Sequence, residues 1–239
     1  IVGNGSTELI SLFIQIKHPK KALIVGPTYS EYERELKLSG SSIDHFPLRE
    51  EEDFCLNLTA LKKQLQEGCN LLVICNPNNP TSSAITTDTM AEILEFCEEM
   101  VDETYAEFAA ESSVISSVSL LSAYSNLIVI RGISKFFAAP GLRLGYALLR
   151  DRRLSSLVNE RKNPWTINSL ASLAGEIMFS DEKYIYETRS FIEGERDRMK
   201  DRLNGLKGIK YYEPNANFFL VNLSGTHVTS AEVFEGALK

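Results

Sequence analysis

The sequence of 239 residues is poor in the residues that build metal centres and disulfide frameworks. It contains three histidines and four cysteines, and none of them belongs to a CxxC, an HExxH or a mixed Cys/His cluster. We therefore expect no metal site. Cysteines without a framework spacing indicate reduced, mostly structural thiols, which favours a cytoplasmic setting.

Long apolar runs and basic runs are also absent. No stretch approaches the roughly 20 apolar residues that a membrane span requires, so we expect no membrane partner. The formal net charge of −7 argues against a nucleic-acid surface. The first five residues, IVGNG, contain no initiator Met and no part of a signal peptide, and they resemble an internal stretch more than a start.

Short apolar runs alternate with amphipathic helical stretches along most of the chain. Because the runs have the length of buried strands, this alternation predicts an α/β fold with a mostly parallel sheet and helices on both faces. The predicted strands are 22–25, 42–46, 71–75, 100–101, 127–130 and 143–149, and the predicted helices are 8–16, 30–39, 58–66, 87–97, 154–160, 169–180 and 182–203.

The pattern changes after the long helix. Strands are predicted at 209–212 and 218–221 and a helix start at Thr229-Ser230, which favours the opening of a small α+β domain. We therefore predict a large ligand-binding domain over residues 1–180, followed by a connecting helix and a partial small domain over 181–239. The connection before Met100 is unusually short for a helix followed by a buried strand, as if several residues were lost after Glu99.

The most informative segment is SKFFAAPGLRLG, residues 134–145, which follows the apolar run 127–130. Lys135 would lie beyond the carboxyl end of a buried strand, where open α/β sheets place ligands. Its amine can form an imine with a carbonyl compound such as pyridoxal phosphate, and Arg143 in the following Gly/Pro turn suits a phosphate. A surface lysine and a structural arginine are the alternative.

Two further polar segments lie next to predicted strands or helices. The segment 3–8, GNGSTE, brings backbone N–H groups and the hydroxyls of Ser6 and Thr7 to a helix N-terminus. That arrangement is either an anion site or an ordinary helix cap. Tyr29 follows the strand 22–25, where its ring either stacks on a planar ligand or packs within the protein.

Two more polar segments follow the central strands. CNPNNPT, residues 75–81, has two prolines among three asparagines, which predicts a rigid turn with a side-chain amide free to donate to a ligand. Asp102 emerges from the next strand, and a buried carboxylate needs a partner. That partner is either a protonated pyridine nitrogen or a structural cation, and Tyr105 lies three residues further on.

Taken in order, these segments resemble the large domain of fold-type-I pyridoxal-phosphate enzymes, the aspartate aminotransferase superfamily. NPNNPT, VDETY and SKxxxxPGxRxGY each look like motifs of that family, and with the glycine segment they span residues 3–146. Within the superfamily, PTYSEYE at 27–33 and PWTIN at 164–168 look most like the histidinol-phosphate aminotransferase branch and its relative, threonine-phosphate decarboxylase.

The resemblance implies pyridoxal 5'-phosphate as the cofactor and assigns three catalytic residues. Lys135 would hold the cofactor as an imine and move the proton at the substrate Cα. Asp102 would keep the pyridine nitrogen protonated, which makes the ring an electron sink, and Tyr29 would stack on the ring. The remaining implied contacts are Asn79 and Tyr105 to the phenolic oxygen, Ser6, Thr7, Ser134 and Arg143 to the phosphate, and Asn168 on the substrate side.

Three features depart from the family pattern. Gly132 stands where many relatives carry Ser or Thr, which removes one hydroxyl from the phosphate site. Ser82 replaces the usual Gly after Asn-Pro-Thr, and we expect it to alter only the turn. Asn217-Phe218 resembles the start of the small domain, but the family's N-terminal arm and carboxylate-binding arginine are not found in these 239 residues. The sequence thus predicts cofactor binding more strongly than turnover.

Three functions follow from the resemblance. The first is an aminotransferase of the histidinol-phosphate type, which exchanges an amino group between an amino acid or amino-alcohol phosphate and a 2-oxo acid. The second is a threonine-phosphate decarboxylase on the same scaffold. The third is a non-catalytic pyridoxal-phosphate-binding domain of a transcription regulator. The resemblance also implies a homodimer with the cofactor at the subunit boundary.

Overall fold

A seven-stranded sheet forms the centre of the computed structural model, which describes residues 1–238. Its strands are β1 (Val2–Gly3), β2 (Lys21–Gly26), β3 (Ser42–Pro47), β4 (Leu71–Cys75), β5 (Glu99–Asp102), β6 (Leu127–Gly132) and β7 (Gly145–Leu149). The order across the sheet is β1-β7-β6-β5-β4-β2-β3. Strands β2 to β6 are parallel, and β7 runs antiparallel to both of its neighbours. The predicted α/β fold with a mostly parallel sheet is therefore confirmed.

The helices within the described residues connect the strands and continue beyond the sheet. They are α1 (Gly5–Lys17), α2 (Ser30–Leu38), α3 (Leu58–Leu65), α4 (Thr87–Ile93), α5 (Ser112–Ile115), α6 (Arg152–Arg161), α7 (Ser169–Ser180), α8 (Glu182–Asn204) and α9 (Ser230–Ala237). Short 3₁₀ segments occur at Glu50–Glu52, Ala106–Phe108, Ser117–Ser122 and Pro140–Leu142. Two short strands, β8 (Lys210–Tyr211) and β9 (Val221–Asn222), pair in a separate sheet.

Helices cover both faces of the large sheet, and each face has its own core. On one face Leu9 and Phe13 of α1 pack with Leu36 of α2 and Leu154 of α6. On the other face Leu61 of α3 packs with side chains of α4 and of the sheet. Because β2, β4 and β6 are buried on both faces, their sequences contain continuous apolar runs with little alternation.

The loops that carry the predicted site meet at one edge of the sheet. Strands β2, β4, β5 and β6 are parallel, so their carboxyl ends lie on the same side. The antiparallel β7 begins at that edge, and β1, which is antiparallel to β7, ends there. Residues near the N-terminus and residues beyond 130 are thereby brought together.

Several boundaries differ from the sequence predictions. The predicted strand 143–149 was wrong at its start, because Arg143 has a φ of 57° and β7 begins only at Gly145. A left-handed residue cannot continue a strand. Helix α1 begins at Gly5, before the predicted 8, since its N-cap is Asn4. The two-residue strand β1 was not predicted because it is too short to show a periodicity.

The connection before β5 is longer than the sequence predicted, because the predicted helix 87–97 ends too late. Helix α4 ends at Ile93, so residues 94–98 remain for the turn, and Asn126 braces that turn by donating to the carbonyl oxygens of Leu94 and Cys97. Strand β5 then begins at Glu99, whose side chain is fully buried without a hydrogen bond to either carboxylate oxygen.

The C-terminal part contacts the large sheet through α8 and through residues 215–216. The hydroxyl of Ser82 accepts the backbone N–H groups of Asn215 at 3.0 Å and Ala216 at 2.8 Å. The expectation that Ser82 alters only its turn was therefore wrong, because its side chain also joins the turn to the C-terminal part. The predicted domain boundary between residues 180 and 181 stays a prediction.

None of the helices within residues 1–238 combines the length and the apolar character needed to cross a membrane. Within residues 1–238, no three His, Cys, Asp or Glu side chains lie together in the manner of a metal site.

Candidate active site

A cavity of about 250 Å3 lies at the carboxyl edge of the sheet, between the loops that follow β1, β2, β4, β5 and β6. Nine of the ten residues predicted for the site line it, and Asn168 does not. The cavity is lined by Ser6, Thr7, Tyr29, Tyr32, Cys75, Asn79, Asp102, Thr104, Tyr105, Ser134, Lys135, Pro140 and Arg143.

One end of the cavity is built to receive an anion. Ser6 and Thr7 lie in the first turn of α1, where backbone N–H groups have no partners within the helix, and the N-cap Asn4 supplies no side-chain cap. The Arg143 guanidinium lies against Gly5, and a Cβ on Gly5 would overlap its Nη2 atom. A helix N-terminus, two hydroxyls and a guanidinium together fit a phosphate dianion.

Two other glycines shape the same end of the cavity. A Cβ on Gly145 would overlap the backbone nitrogen of Ser6, so β7 can pass α1 only with glycine at this position. At Gly132 the space is open, since a Cβ would lie 3.8 Å from the Ser6 hydroxyl and 3.5 Å from the Leu144 carbonyl oxygen. The departure at Gly132 thus leaves room beside the anion site.

The Lys135 amine is available for chemistry. Ser134 and Lys135 lie in the turn after β6, and the Lys135 side chain reaches into the cavity, with Nζ 6.0 Å from the centroid of the Tyr105 ring. Among the ion pairs formed within residues 1–238, none involves Lys135. A primary amine without a carboxylate partner is suited to forming an imine with a carbonyl group.

Asp102 is buried at the end of β5, with 4% of its surface exposed. Its Oδ1 accepts hydrogen bonds from the backbone N–H and the hydroxyl of Thr104, at 2.9 and 2.5 Å, and its Oδ2 accepts one from the Tyr32 hydroxyl at 2.8 Å. Burial raises the pKa of Asp102, and these hydrogen bonds oppose that rise. Within residues 1–238 no cation pairs with it. A positively charged group of a ligand in the cavity would therefore be its partner.

The asparagines of the loop after β4 have different roles: two hold the loop in place, and the third lines the cavity. The Asn76 amide donates to the carbonyl oxygens of Ile85 and Ile115, and the Asn78 amide donates to Pro27 and Thr81. Both side chains are thus used to hold the loop. Asn79 has the remaining amide, and it lines the cavity.

Two tyrosines contribute aromatic faces. Tyr29 keeps 37% of its surface exposed and meets Tyr32 edge to face, with ring centroids 5.6 Å apart. Tyr105 is held by Phe218, whose ring lies perpendicular to it at 5.1 Å. Burial raises the pKa of Tyr105, so its hydroxyl remains a hydrogen-bond donor at neutral pH.

Asn168 has a structural position outside the cavity. Its side-chain oxygen caps α7 by accepting the Ala171 N–H at 2.8 Å, and its amide donates to the Leu142 carbonyl oxygen at 3.2 Å. It therefore supports the turn before Arg143, and its role toward a substrate stays a prediction.

Sequence reasoning did not single out four residues that line the cavity. They are Tyr32, Cys75, Thr104 and Pro140. Tyr32 has a signal that was available, because it lies three residues after Tyr29 and such pairs share a helix face. Thr104 follows Asp102 by two residues, the spacing at which an Asp side chain commonly accepts a backbone N–H.

The residues around the cavity fit pyridoxal 5'-phosphate. An unpaired lysine suits its aldehyde, a buried carboxylate its protonated ring nitrogen, and the anion site its phosphate. The fold and the cavity thus define a pyridoxal-phosphate-binding α/β protein. The chain belongs to the aminotransferase class I and II family, whose sequence model matches residues 1–235, and the cofactor of this family is pyridoxal 5'-phosphate.

The relatives carry the names of two activities. The chain is 35% identical to a protein of Caldanaerobacter subterraneus whose name marks it provisionally as a threonine-phosphate decarboxylase, with 100% of this chain and 65% of the relative covered. It is 33% identical to a histidinol-phosphate aminotransferase of Clostridium novyi, with 92% and 62% covered. The chain thus spans less than two thirds of the length of both curated relatives.

A solved structure gives the same result for the fold. The histidinol-phosphate aminotransferase of Clostridium acetobutylicum superposes with a TM-score of 0.91 at 31% identity, over 100% of this chain and 71% of that chain. The predicted resemblance to fold-type-I pyridoxal-phosphate enzymes is confirmed.

Proposed function

We propose that the protein to which this chain belongs is an aminotransferase of the histidinol-phosphate type. It transfers an amino group between an amino acid or amino-alcohol phosphate and a 2-oxo acid. The observation that carries the proposal is the unpaired Lys135 beside the buried Asp102 in one cavity. The similarity to proteins named histidinol-phosphate aminotransferase supports the choice of substrate class.

The cofactor, when bound, supplies an electron sink for the bond that breaks at the substrate Cα. The Lys135 amine would hold the cofactor at its aldehyde carbon and, once displaced by the substrate amine, would move the proton at the substrate Cα. Asp102 would stabilise a positive charge on the ring nitrogen, and the three hydrogen bonds that its oxygens accept oppose the rise in its pKa caused by burial. Tyr29 would cover the ring, and Asn79 and Tyr105 would donate to its phenolic oxygen.

The anion site at one end of the cavity would fix the position of the cofactor through its phosphate. Ser6, Thr7 and Ser134 provide hydroxyls, and Arg143 provides charge-assisted hydrogen bonds. Since this anchor is remote from the bond that changes, its binding energy positions the ring without contributing to the chemical step directly.

Decarboxylation of a phosphorylated threonine is the second candidate. The 35% identity to a relative named for this activity favours it, and so does the segment 27–33, PTYSEYE. The two reactions share Lys135 and Asp102 and differ in which bond at the Cα lies perpendicular to the ring. That choice depends on contacts to the substrate carboxylate.

The two candidates are separated by the products of the full-length protein loaded with cofactor. With histidinol phosphate and 2-oxoglutarate, we expect glutamate to form. With O-phosphothreonine, an aminotransferase releases no CO2, and CO2 release would establish the decarboxylase instead. Lys135→Ala is the control, and it should abolish either reaction while the folded content measured by circular dichroism is retained.

We further propose a homodimer in a cytoplasmic setting, with residues 1–180 as the cofactor-binding domain and 181–239 as a connecting helix and part of the small domain. Support for the dimer comes from α7, where Leu170, Leu173 and Ile177 project from one side of the helix with 57–72% of their surfaces exposed. A second copy of the chain is the partner that would cover them.

A further inference from the structure

Tyr32 contacts two other residues of the candidate site, Asp102 and Tyr29. It lies in α2 and is fully buried, in contrast to the half-exposed Tyr29 one turn earlier. Its hydroxyl donates to Asp102 Oδ2 at 2.8 Å, and its ring meets the Tyr29 ring edge to face. One side chain therefore contacts both the carboxylate and the ring proposed to face the cofactor.

Hydrogen bonds from two different elements hold the two oxygens of Asp102. Thr104 holds Oδ1 from the loop after β5, and Tyr32 holds Oδ2 from α2. With the two Thr104 bonds alone, only Oδ1 would be held, and the carboxylate could still rotate about the Cβ–Cγ bond. The Tyr32 bond is the contact that removes this freedom, because it comes from a different element and reaches the other oxygen.

We infer that Tyr32 is a positioning residue, whose hydroxyl holds the Asp102 carboxylate in the orientation in which it would meet the ring nitrogen of the cofactor. The inference rests on the proposed function of this cavity. Tyr32 is fully buried at the wall of the cavity, and its hydroxyl is already bonded to Asp102, so it acts through the carboxylate and through the Tyr29 ring. The prediction concerns the affinity for the cofactor, independently of which reaction the protein catalyses.

The titratable groups next to Asp102 carry no charge at neutral pH. Burial raises the pKa of Tyr32 well above its usual value, so the hydroxyl remains a donor at neutral pH. Burial also raises the pKa of the Cys75 thiol to about 12 and that of Tyr105. Because all three neighbours are neutral at pH 7, Asp102 is the group that would serve as counter-charge to a positive ring nitrogen in this part of the cavity.

The test compares two ligands on the full-length protein freed of cofactor. One is pyridoxal 5'-phosphate, and the other is its analogue with the ring nitrogen replaced by C–H. In Tyr32→Phe we expect the dissociation constant for pyridoxal 5'-phosphate to rise about tenfold, since one hydrogen bond to a charged group is lost. For the analogue the constant should change less than about twofold, because Asp102 has no nitrogen to meet.

Tyr184→Phe is the matched control. The Tyr184 hydroxyl donates to the Phe136 carbonyl oxygen at 3.1 Å, outside the cavity, so the same atom is removed without reaching Asp102. Both dissociation constants should remain at their wild-type values. A second check is Tyr32→Phe in an Asp102→Asn background, where it should have no further effect on affinity.

Each other outcome overturns the inference. Equal weakening of both ligands would show a general loosening of the cavity, and unchanged affinity would show that the hydroxyl is not needed. Failure of Tyr32→Phe to fold would assign the hydroxyl to stability. If the wild-type protein does not bind pyridoxal 5'-phosphate, the proposed function fails first, which separates the two claims.

Discussion

Backbone conformation at a few residues determines the shape of the anion site. Gly5 has a φ of 80° and Arg143 a φ of 57°, both in the left-handed region. Glycine adopts this region freely, whereas for arginine it costs about 1 kcal/mol. The cost at Arg143 is consistent with a residue whose position serves a ligand, since strained residues concentrate at functional sites.

Gly132→Ser should tighten cofactor binding. A Cβ at this position makes only ordinary contacts, and its hydroxyl would lie beside the Ser6 hydroxyl at the anion site. We expect the dissociation constant for pyridoxal 5'-phosphate to fall several-fold, by about the effect of one hydrogen bond to a charged group. Gly132→Ala, measured by the same titration, adds the Cβ without the hydroxyl. An equal gain in both variants would contradict the explanation.

Ser82 gives a second prediction at this scale, for stability. Ser82→Ala leaves the buried Ala216 N–H without an acceptor, whereas the Asn215 N–H keeps the Ser82 carbonyl oxygen, so we expect the free energy of unfolding to fall by about 1–3 kcal/mol. Ser82 has a φ of 59°, and Ser82→Gly relieves that left-handed conformation. The glycine variant should therefore lose about 1 kcal/mol less than the alanine variant in urea unfolding. The opposite order would contradict this account.

At the scale of elements, the connection between α4 and β5 has the clearest energetic consequence. Only residues 94–98 separate the helix from the strand, and Glu99 is thereby drawn into the first position of β5. Burial raises the pKa of Glu99 well above its usual value, and the nearby Cys69 adds to the rise. A carboxyl group occupies a place that an apolar side chain fills in an ordinary buried strand.

Glu99→Gln should stabilise the protein in a pH-dependent way. Below a pH of about 4.5 the carboxyl is protonated in both the folded and the unfolded chain, so it contributes no pH dependence. Above that pH the unfolded carboxyl ionises while the buried one does not, and wild-type stability falls by up to about 1.4 kcal/mol per pH unit. Urea unfolding between pH 5 and pH 7 should show a widening gap in favour of the variant. A constant gap would contradict the buried protonated carboxyl.

The sequence predicted those elements whose signal is local. Apolar runs such as 71–75 and 127–130 identify buried strands, and the motifs after them identify Asn79, Asp102 and Lys135. By contrast, Tyr32 was not recognised as a contact of Asp102, because it reaches the end of β5 from helix α2. The start of β7 depended on one backbone angle at Arg143, and strand β1 exists only because it pairs with β7.

At the scale of the whole molecule, α7 presents an apolar surface that the described residues do not cover. Leu170, Leu173 and Ile177 are exposed, and Phe179 borders an adjoining apolar depression of about 490 Å3. Apolar patches of this kind mark interaction sites in soluble proteins. The proposed homodimer places a second copy on this surface.

The mass of the full-length protein in solution tests this proposal. Light scattering coupled to size exclusion should give twice the mass of one chain, and Leu173→Lys should shift the protein toward the monomer. Leu38→Lys is the matched control, because Leu38 is 70% exposed at the end of α2 and its change should leave the mass unaltered. A wild-type monomer, or equal effects of the two variants, would contradict a dimer through α7.

The pairing of β1 with β7 has a consequence for the order of events during biosynthesis. The Ala147 N–H donates to the Ile1 carbonyl oxygen at 2.8 Å, a contact between residues far apart in the sequence. Ser6 and Arg143 come together only when β1 pairs with β7. The chain must therefore be synthesised as far as β7 before the phosphate site can be complete. Binding and closure are then linked, and each strengthens the other. A chain truncated before β7 should therefore bind pyridoxal 5'-phosphate more weakly than a chain that includes it.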